Sequence, residues 1–277
     1  MRFRRGAPTP GRPPTWRWAL VTGASSGIGR AIAGQLAADG VNLVLVARRE
    51  PALRALADDV AERYGIRAEV LPADLADAAS RGAVEQRLAQ GSPPIDLLVN
   101  CAGGGVAGPF LRGTLEQRQY EVELNCVNVL RLCHAAGAAM SGRGRGTIVN
   151  MASGIGYLPC PGVAVYGASK AFVLNFSATL RYELRGSGVG VTAVAPGPTR
   201  TDGATLAGVD LGRVPRFLVA TPERVAAATL AAARADRALE LVNAWNRVMP
   251  LGRLLPAGVM QPLLAAVVDR LTGSRVG

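Results

Sequence analysis

The sequence predicts an α/β protein with a doubly wound parallel sheet and helices on both faces. Short apolar runs alternate with helical patterns between residues 18 and 242. Runs such as VNLVLVA at 41–47 are continuously apolar, as expected of strands that are buried on both faces. The first run leads through a glycine-rich string into a helical pattern, which is the order of a parallel strand–turn–helix unit.

The predicted strands and helices follow in a regular order. Strand-like runs occupy residues 18–21, 41–47, 68–71, 95–99, 146–151, 189–195 and 239–242. Helical spacing occupies residues 28–36, 51–64, 78–88, 116–140 as one or two helices, and 166–184. Thr221, Pro222 and Glu223 open a further helix as N-cap, first helical residue and first-turn acid. The alternation predicts a single domain of the Rossmann type.

The two ends of the chain fall outside this alternation. Residues 1–15 are basic and proline-rich and lack the apolar stretch of a signal peptide, so we expect a disordered arm. Residues 16–242 form the predicted domain, and residues 243–277 form a predicted C-terminal helical extension. The extension either packs on the core or a second subunit, or serves as a lid or a membrane-surface helix. Its apolar runs are shorter than the ~20 residues of a membrane span.

Composition narrows the classes of function. The net charge is +11, but the arginines beyond the arm are scattered, which favours an anionic cofactor or a membrane surface over nucleic acid. The four cysteines occur singly, so we expect free thiols in a reducing, cytoplasmic compartment. His134 is the single histidine and lies in an apolar helical stretch, where we expect it to be buried. A metal site is therefore not predicted.

Lysine occurs once, at Lys170, among 31 basic residues. Arginine replaces lysine on most surfaces but not where a compact ammonium with an adjustable pKa is needed, so Lys170 is a candidate for chemistry, with chance retention as the alternative. Tyr166 lies four residues earlier, on the same helical face. A neighbouring ammonium stabilises a phenolate, so we expect Lys170 to lower the pKa of Tyr166 and to make it a general acid and base.

The string TGASSGIG at residues 22–29 joins the first strand to the first helix. Glycines there permit a tight turn and let backbone amides approach a pyrophosphate at the helix N-terminus. The second strand ends in Ala47, Arg48 and Arg49 rather than in the acid that binds the ribose of NAD. Guanidinium groups pair with phosphate, so the sequence predicts NADP(H) as the cofactor; the alternative is that both arginines begin a solvated helix.

These motifs occur together with others in order along the chain, which resembles the short-chain dehydrogenases/reductases in their single-domain form. The matching residues are TGASSGIG at 22–29, ARR at 47–49, ADL at 73–75, NCAG at 100–103, Asn125, Ser153, YGASK at 166–170, and PGP at 196–198 with Thr201. The resemblance covers nearly all of residues 16–242. Cys101 departs from the commoner asparagine, and we expect no redox role for it.

The resemblance implies a role for each matching residue. It implies that Tyr166 exchanges a proton with the substrate oxygen, that Ser153 hydrogen-bonds that oxygen, and that Lys170 holds the nicotinamide ribose. It also implies that Asn125 anchors a water linked to Lys170, which makes these four the expected catalytic residues. The expected cofactor-binding residues are Gly23, Ser25, Ser26, Gly27, Ile28, Gly29, Arg48, Arg49, Asp74, Leu75, Asn100, Ala102, Gly103, Tyr166, Lys170, Pro196, Gly197, Thr199 and Thr201.

The resemblance implies an NADP(H)-dependent oxidoreductase for a ketone or secondary alcohol. The expected substrate walls at 104–110, 157–163 and 201–220 are mostly apolar, so we expect a lipophilic substrate. The resemblance alone implies a homodimer or homotetramer, and the apolar extension suggests peripheral contact with a membrane. The alternatives are a catalytically silent NADP(H)-binding regulator and a basic binder of membrane or nucleic-acid surfaces.

Overall fold

Seven parallel strands form one sheet in the computed structural model, which describes residues 16–201, 210–243, 249, 252 and 256–273. The strands are β1 Trp18–Thr22, β2 Asn42–Ala47, β3 Ala68–Pro72, β4 Leu97–Asn100, β5 Gly146–Met151, β6 Val189–Pro196 and β7 Leu239–Val242. Their order across the sheet is β3-β2-β1-β4-β5-β6-β7, and each neighbouring pair is parallel. The sheet confirms the predicted fold class.

Helices connect the strands and cover the sheet. They are α1 Gly27–Ala38, α2 Glu50–Tyr64, α3 Ala78–Gln90, α4 Leu115–Val122, α5 Asn128–Gly142, α6 Ala164–Glu183, α7 Pro222–Arg234 and α8 Ala257–Thr272. Thr221 is the N-cap of α7, and its side chain accepts a hydrogen bond from the Arg224 amide, as the sequence predicts. The predicted arm at 1–15 lies outside the described residues, and the limits of the domain and of the extension stay predictions.

Apolar side chains fill both sides of the sheet. On one face, α1, α2 and α7 pack on strand residues that include Val21 and Leu45. On the other, α3, α5 and α6 pack on their neighbours in sequence, including Leu20 and Val44. Because successive side chains of a strand point to opposite faces, burial on both sides requires the continuously apolar runs seen in the sequence.

The region predicted as one or two helices at 116–140 consists of α4 and α5 separated by the π-helix Glu123–Val127. π-Helices are rare and often mark functional sites. Asn125 lies in this segment and is fully buried. The wider turn therefore places a predicted catalytic residue in the interior between two otherwise ordinary helices.

The expectation that His134 is buried is wrong, because its side chain is exposed. The buried face of α5 is formed by residues at helical spacing, including Val129, Leu132, Cys133 and Ala136. Residue 134 lies off that face. The apolar neighbours of His134 in sequence predict burial incorrectly, whereas the helical period of the buried residues predicts that this side chain is exposed.

The order of the strands reverses at β1, which lies between β2 and β4. In open α/β sheets such a point leaves a crevice at the carboxyl ends of the strands, where ligands bind. The Thr22 hydroxyl ends β1 there and accepts hydrogen bonds from the Cys101 and Ala102 amides, each at 2.9 Å. It also donates to the Val99 carbonyl oxygen at 3.2 Å, so one side chain joins the turn after β1 to the loop after β4.

Helix α8 is fastened to the segment that precedes α7. The Asp210 amide donates to the Leu271 carbonyl oxygen at 2.9 Å, and Arg213 Nη1 donates to that of Arg270 at 2.7 Å. The side chain of Val268 is buried. Within the described ranges, no helix has both the length and the apolar character that a membrane crossing requires.

Candidate active site

A cavity of about 690 Å³ opens at the carboxyl ends of the strands around β1. Its lining contains most of the residues predicted for the site: Gly23, Ser25, Ser26, Gly27, Ile28, Gly29, Arg48, Arg49, Asp74, Leu75, Ala102, Gly103, Ser153, Tyr166, Lys170, Pro196, Gly197, Thr199 and Thr201. The two other predicted residues, Asn100 and Asn125, are buried beside this lining. Residues spread over almost 180 positions of sequence are thus brought to one cleft.

The glycine-rich turn forms one end of the cavity. Helix α1 packs so closely on this turn that a Cβ at Gly29 would lie 2.3 Å from the Gly23 carbonyl oxygen, and Gly23 has a φ of +69°. Ser26 is the extended N-cap of α1, but its side chain makes no capping hydrogen bond. The amides of the first helical turn are therefore left without that partner, and the arrangement fits a phosphate group.

Arg48 belongs to a chain of polar side chains at the same end of the cavity. Its Nη1 donates to the Tyr120 hydroxyl at 2.8 Å, and that hydroxyl donates to Asp74 Oδ1 at 3.1 Å. Sequence reasoning missed Tyr120, which lines the cavity from α4. No local motif marks it, because its partners lie 72 and 46 residues away in sequence.

The positive charge after β2 is not offset by the acid beside it. Arg49 Nη2 donates to Ser25 Oγ at 3.3 Å, which brings its guanidinium to the glycine-rich turn. Glu50 instead accepts a hydrogen bond from Arg54 Nε at 2.9 Å. Arg48 and Arg49 both line the cavity, so two guanidinium groups are available to an anionic group bound there.

Tyr166 lies at the other end of the cavity, near the start of α6, and its phenol is hydrogen-bonded to Ser153. Burial raises the pKa of Tyr166, while the Ser153 hydrogen bond lowers it by a smaller amount. The expectation that the pKa of Tyr166 is lowered through Lys170 is therefore wrong for this structure. The phenol keeps its proton at neutral pH, which is the state that a proton donor needs.

Lys170 lies one turn further along α6 and is buried. Its Nζ donates to the Met151 carbonyl oxygen at 3.0 Å and stands over the Tyr166 ring, 5.6 Å from the ring centroid. Burial lowers the pKa of Lys170 to about 8. Burial also has the largest effect on the pKa of Tyr166, and it raises that pKa.

Asn125 is held in a fixed orientation by its amide hydrogen bonds. Its Nδ2 donates to the Gly104 carbonyl oxygen at 2.7 Å and to Ser169 Oγ at 3.1 Å, and its Oδ1 accepts from the Gly104 amide at 3.1 Å. A Cβ at Gly103 would lie 3.0 Å from Asn125 Oδ1 and 3.1 Å from Lys170 Nζ. The two polar groups thus flank a space that glycine alone leaves open.

Asn100 was predicted to line the cleft, but its side chain turns into the core. Its Nδ2 donates to Asn150 Oδ1 at 2.8 Å, and Asn150 Nδ2 donates to Ser177 Oγ at 2.9 Å. Side chains alternate along a strand, so the side chain of the last residue of β4 points away from the crevice and contacts Cys133 on α5. This buried network ties β4 and β5 to α6.

The remaining wall of the cavity is mostly apolar, and several of its residues come from α8. The apolar side chains here are Ile155, Leu158, Val163, Leu211, Leu264, Val267, Val268 and Leu271. Two of the predicted walls, 104–110 and 157–163, contribute to the lining, whereas residues 202–209 of the third lie outside the described residues. A lid is one of the alternatives that the sequence leaves open for the C-terminal extension, and α8 lies at the border of the cleft.

The cysteines add no redox or metal centre to this picture. All four are free, and burial raises the pKa of Cys101, which lines the cavity, to about 12. Its thiol therefore stays protonated near neutral pH. In the part of the chain that the structure describes, no group of three or more histidine, cysteine or acidic side chains is placed to hold a metal ion.

The buried lysine makes the stability of the protein depend on pH. The folded state binds the Lys170 proton with a pKa of about 8, against the 10.5 that is usual for a lysine in water. Between about pH 8 and 10.5 the unfolded chain holds a proton on Lys170 that the folded chain lacks, so the free energy of unfolding increases as the pH rises. Relative to Lys170→Met, the wild-type free energy of unfolding should rise by about 2 kcal/mol from about pH 7.5 to 9.5.

Urea denaturation of both proteins across this range measures the difference. The unfolded chains share their cysteine and tyrosine titrations, and loss of the Lys170 charge only raises further the already raised pKa of Cys101 and of Cys126, so these groups contribute little to the difference. Arg181→Met, on the same helix but with a side chain that stays charged in both states, should show no such pH dependence relative to wild type. A Lys170→Met difference that stays constant with pH would show that the ammonium is not desolvated.

Comparison with known proteins agrees with this geometry. A family model described as short chain dehydrogenase matches residues 17–208. A short-chain dehydrogenase from Sphingobium yanoikuyae, solved in complex with NADPH, is 36% identical with a TM-score of 0.79, over 86% of this chain and 92% of that one. A bulky-bulky ketone specific alcohol dehydrogenase from Comamonas testosteroni is 34% identical with a TM-score of 0.76, over 88% and 93% of the two chains.

Among curated proteins, a very-long-chain 3-oxoacyl-CoA reductase from Pyricularia oryzae is 38% identical over 182 residues, or 64% of this chain. The chain spans only 54% of the length of that reductase. The family model nevertheless covers more than half of this chain, including the turn after β1 and the start of α6. The chain therefore belongs to the short chain dehydrogenase family of oxidoreductases.

Proposed function

We propose that the protein is an NADP(H)-dependent oxidoreductase that interconverts a lipophilic ketone and the corresponding secondary alcohol. The observation that carries this proposal is that one cavity holds a hydrogen-bonded Ser153–Tyr166 pair and a buried lysine at one end, and a glycine-rich turn with two arginines at the other. A dinucleotide lying along this cavity would have its phosphates at the glycine-rich turn and the arginines, and its nicotinamide beside the reactive phenol.

The residues at the phenol end supply proton transfer and orientation. The bound nicotinamide supplies or accepts the hydride. Tyr166, protonated at neutral pH, donates its proton to the carbonyl oxygen in reduction and takes it back in oxidation. Ser153 hydrogen-bonds the same oxygen and stabilises the charge that develops on it. Lys170 is placed to hold the nicotinamide ribose from its position on α6, and Asn125 keeps the Gly104 backbone in place.

The preference for NADP(H) rests on the end of β2. Arg48 and Arg49 line the cavity where an NAD-binding protein places an acid, and Glu50 is engaged by Arg54. A planar guanidinium matches the oxygens of a phosphate monoester. The Tyr120 hydroxyl supports Arg48 from α4, so the arginine is oriented before a 2′-phosphate arrives. The NADPH complex of the Sphingobium relative supports the same cofactor.

The substrate class rests on the apolar wall. Side chains from α8, the segment around Leu211 and the segment around Leu158 enclose the phenol end of the cavity. Such a wall offers few hydrogen-bond partners to a hydroxyl-rich substrate, whereas burial of apolar surface against it favours binding of an apolar substrate. The ketone-specific and 3-oxoacyl-CoA-reducing relatives act on carbonyl compounds, which supports the reaction type. The four free thiols support a reducing compartment such as the cytoplasm.

Replacing the phenol tests the reaction. With NADPH and a panel of lipophilic ketones, Tyr166→Phe should lower kcat by ~10²-fold or more, because the proton donor is lost. The Kd for NADPH, from nucleotide fluorescence, should change by less than about twofold, since the ring and its packing remain. Tyr64→Phe, an exposed tyrosine at the end of α2, is the matched control. Near-normal turnover by Tyr166→Phe would remove Tyr166 from the mechanism.

Replacing the arginine after β2 tests the cofactor. Wild type should have the higher kcat/KM with NADPH, and Arg48→Ala should lower this value about tenfold or more while leaving that for NADH nearly unchanged, because a charged hydrogen bond to phosphate is lost. Arg63→Ala, an exposed position near the end of helix α2, should leave the ratio of the two values unchanged. A wild-type preference for NADH would refute the cofactor proposal.

Exposed apolar residues support two kinds of contact. Leu111 and Phe217 are 90% and 83% exposed and have arginine neighbours in sequence, so we propose peripheral contact with anionic lipid. Leu130 and Tyr182, exposed on the long helices α5 and α6, support pairing into a homodimer or homotetramer. The double variant Leu111→Ser, Phe217→Ser should lower flotation with anionic vesicles but leave the sedimentation coefficient unchanged, and Tyr64→Ser should alter neither. Equal flotation of the double variant would exclude this lipid contact.

A further inference from the structure

The backbone of Gly105 lies directly against the ring of Tyr166. A Cβ built on Gly105 would stand 2.7 Å from Cδ2 and 2.8 Å from Cβ of the tyrosine. No side chain fits between them, so a shift of this backbone segment by a few tenths of an ångström must move the ring or leave a gap beside it. The position of the phenol therefore depends on how firmly the segment is held.

Two sets of side chains hold the segment on either side of Gly105. Asn125 pairs with both the amide and the carbonyl of Gly104. At Val106, Glu121 Oε1 accepts from the amide at 3.1 Å and Arg118 Nη1 donates to the carbonyl oxygen at 3.3 Å. Each residue flanking Gly105 thus has its two backbone polar groups satisfied by side chains rather than by another strand.

Arg118 and Glu121 are buried together on α4. Their side chains are 9% and 5% exposed, and Arg118 Nη1 donates to Glu121 Oε1 at 3.0 Å. Taking two charges out of water costs free energy that their mutual attraction often fails to recover, so a buried ion pair is weak evidence for a role in stability. The hydrogen bonds that the pair makes to Val106 indicate what it does instead.

The guanidinium of Arg118 also organises the loop that follows. Its Nη2 donates to the carbonyl oxygens of Pro109 at 3.4 Å and Phe110 at 3.5 Å, and its Cζ lies 5.8 Å from the Phe110 ring centroid. A Cβ at Gly113 would lie 2.8 Å from Nη2. Residues 106–113 are therefore folded around this one cation.

We propose that Arg118 and Glu121 are positioning residues, which fix the backbone at Val106 so that Gly105 sets the place of the Tyr166 ring and the following loop forms one wall of the substrate site. The inference rests on the proposed function for the identity of the reacting phenol. Its structural part, the holding of the 104–106 backbone, stands independently of any activity. Neither residue touches the reacting atoms.

Two double variants separate the hydrogen bonds from the charges. Arg118→Met with Glu121→Leu removes both charges and both bonds to Val106. Arg118→Gln with Glu121→Gln also removes both charges, but it keeps an acceptor of the same reach for the Val106 N–H, while the shorter amide at position 118 loses the bond to the Val106 carbonyl. Arg63→Met with Asp59→Leu, a solvent-exposed ion pair on α2, is the matched control. Glu121→Asp withdraws the carboxylate by one methylene and serves if the first variant does not fold.

The first measurement is hydrogen–deuterium exchange of residues 104–110 without cofactor. The Met/Leu variant and Glu121→Asp should exchange the Val106 amide faster by about tenfold or more, whereas the Gln/Gln variant and the α2 control should match wild type. Unchanged protection in a folded Met/Leu variant, or in Glu121→Asp, would overturn the proposal. This outcome does not depend on whether the protein is an oxidoreductase.

The second measurement is turnover of a lipophilic ketone with NADPH. A misplaced phenol and substrate wall should lower kcat/KM for the ketone by ~10- to 100-fold in the Met/Leu variant, with the Kd for NADPH within about twofold of wild type. The Gln/Gln variant should recover most of this loss. A loss of the same size in Gln/Gln, with the Val106 amide protected as in wild type, would show that holding this amide does not set the activity and would refute positioning through Val106. A wild type without carbonyl reductase activity would contradict the proposed function alone.

Discussion

The hydroxyl of Thr22 joins the two strands at which the order of the sheet reverses. It accepts from the Cys101 and Ala102 amides and donates to the Val99 carbonyl, so it satisfies one backbone group of β4 and two of the loop that follows. The glycine-rich turn begins at the next residue, and a Cβ at Gly23 would stand 3.0 Å from the Ala102 nitrogen. The glycine-rich turn and the loop that leads to Gly105 are thus one packed unit, and this unit lines the cleft.

Helix α4 serves both ends of that cleft although it has only eight residues. Tyr120 hydrogen-bonds Arg48 at the end of the cleft that holds the glycine-rich turn, while Arg118 and Glu121 hold the loop at the phenol end. The π-helix that follows then turns Asn125 towards Gly104. A single short stretch of chain therefore makes contacts at both ends of the cleft, and under the proposed function its four side chains act by holding other groups in place.

The sequence was sufficient to predict the fold and the residues whose partners are close in sequence. The apolar runs predict the sheet because burial on both faces demands them, and Tyr166 and Lys170 lie one helical turn apart by geometry. Tyr120 and the pair at Val106 were missed, because their partners are brought near only by tertiary packing. The pKa of Tyr166 was misjudged for a related reason: spacing along a helix says nothing about how deeply a phenol is buried. Asn100 was assigned to the cleft from its motif, although the alternation of strand side chains sends it into the core.

Because arginine takes the place of lysine at every basic position but one, the protein has almost no primary amines that can be chemically modified. Apart from the α-amino group of the chain, the one primary amine is Lys170, and it stands inside the cleft beneath Gly103. Acylating reagents that decorate dozens of surface positions on an ordinary protein would find a single side chain here, screened by whatever lies over it. The rate at which this amine is acylated therefore measures how accessible the cleft is, with no contribution from lysines on the surface.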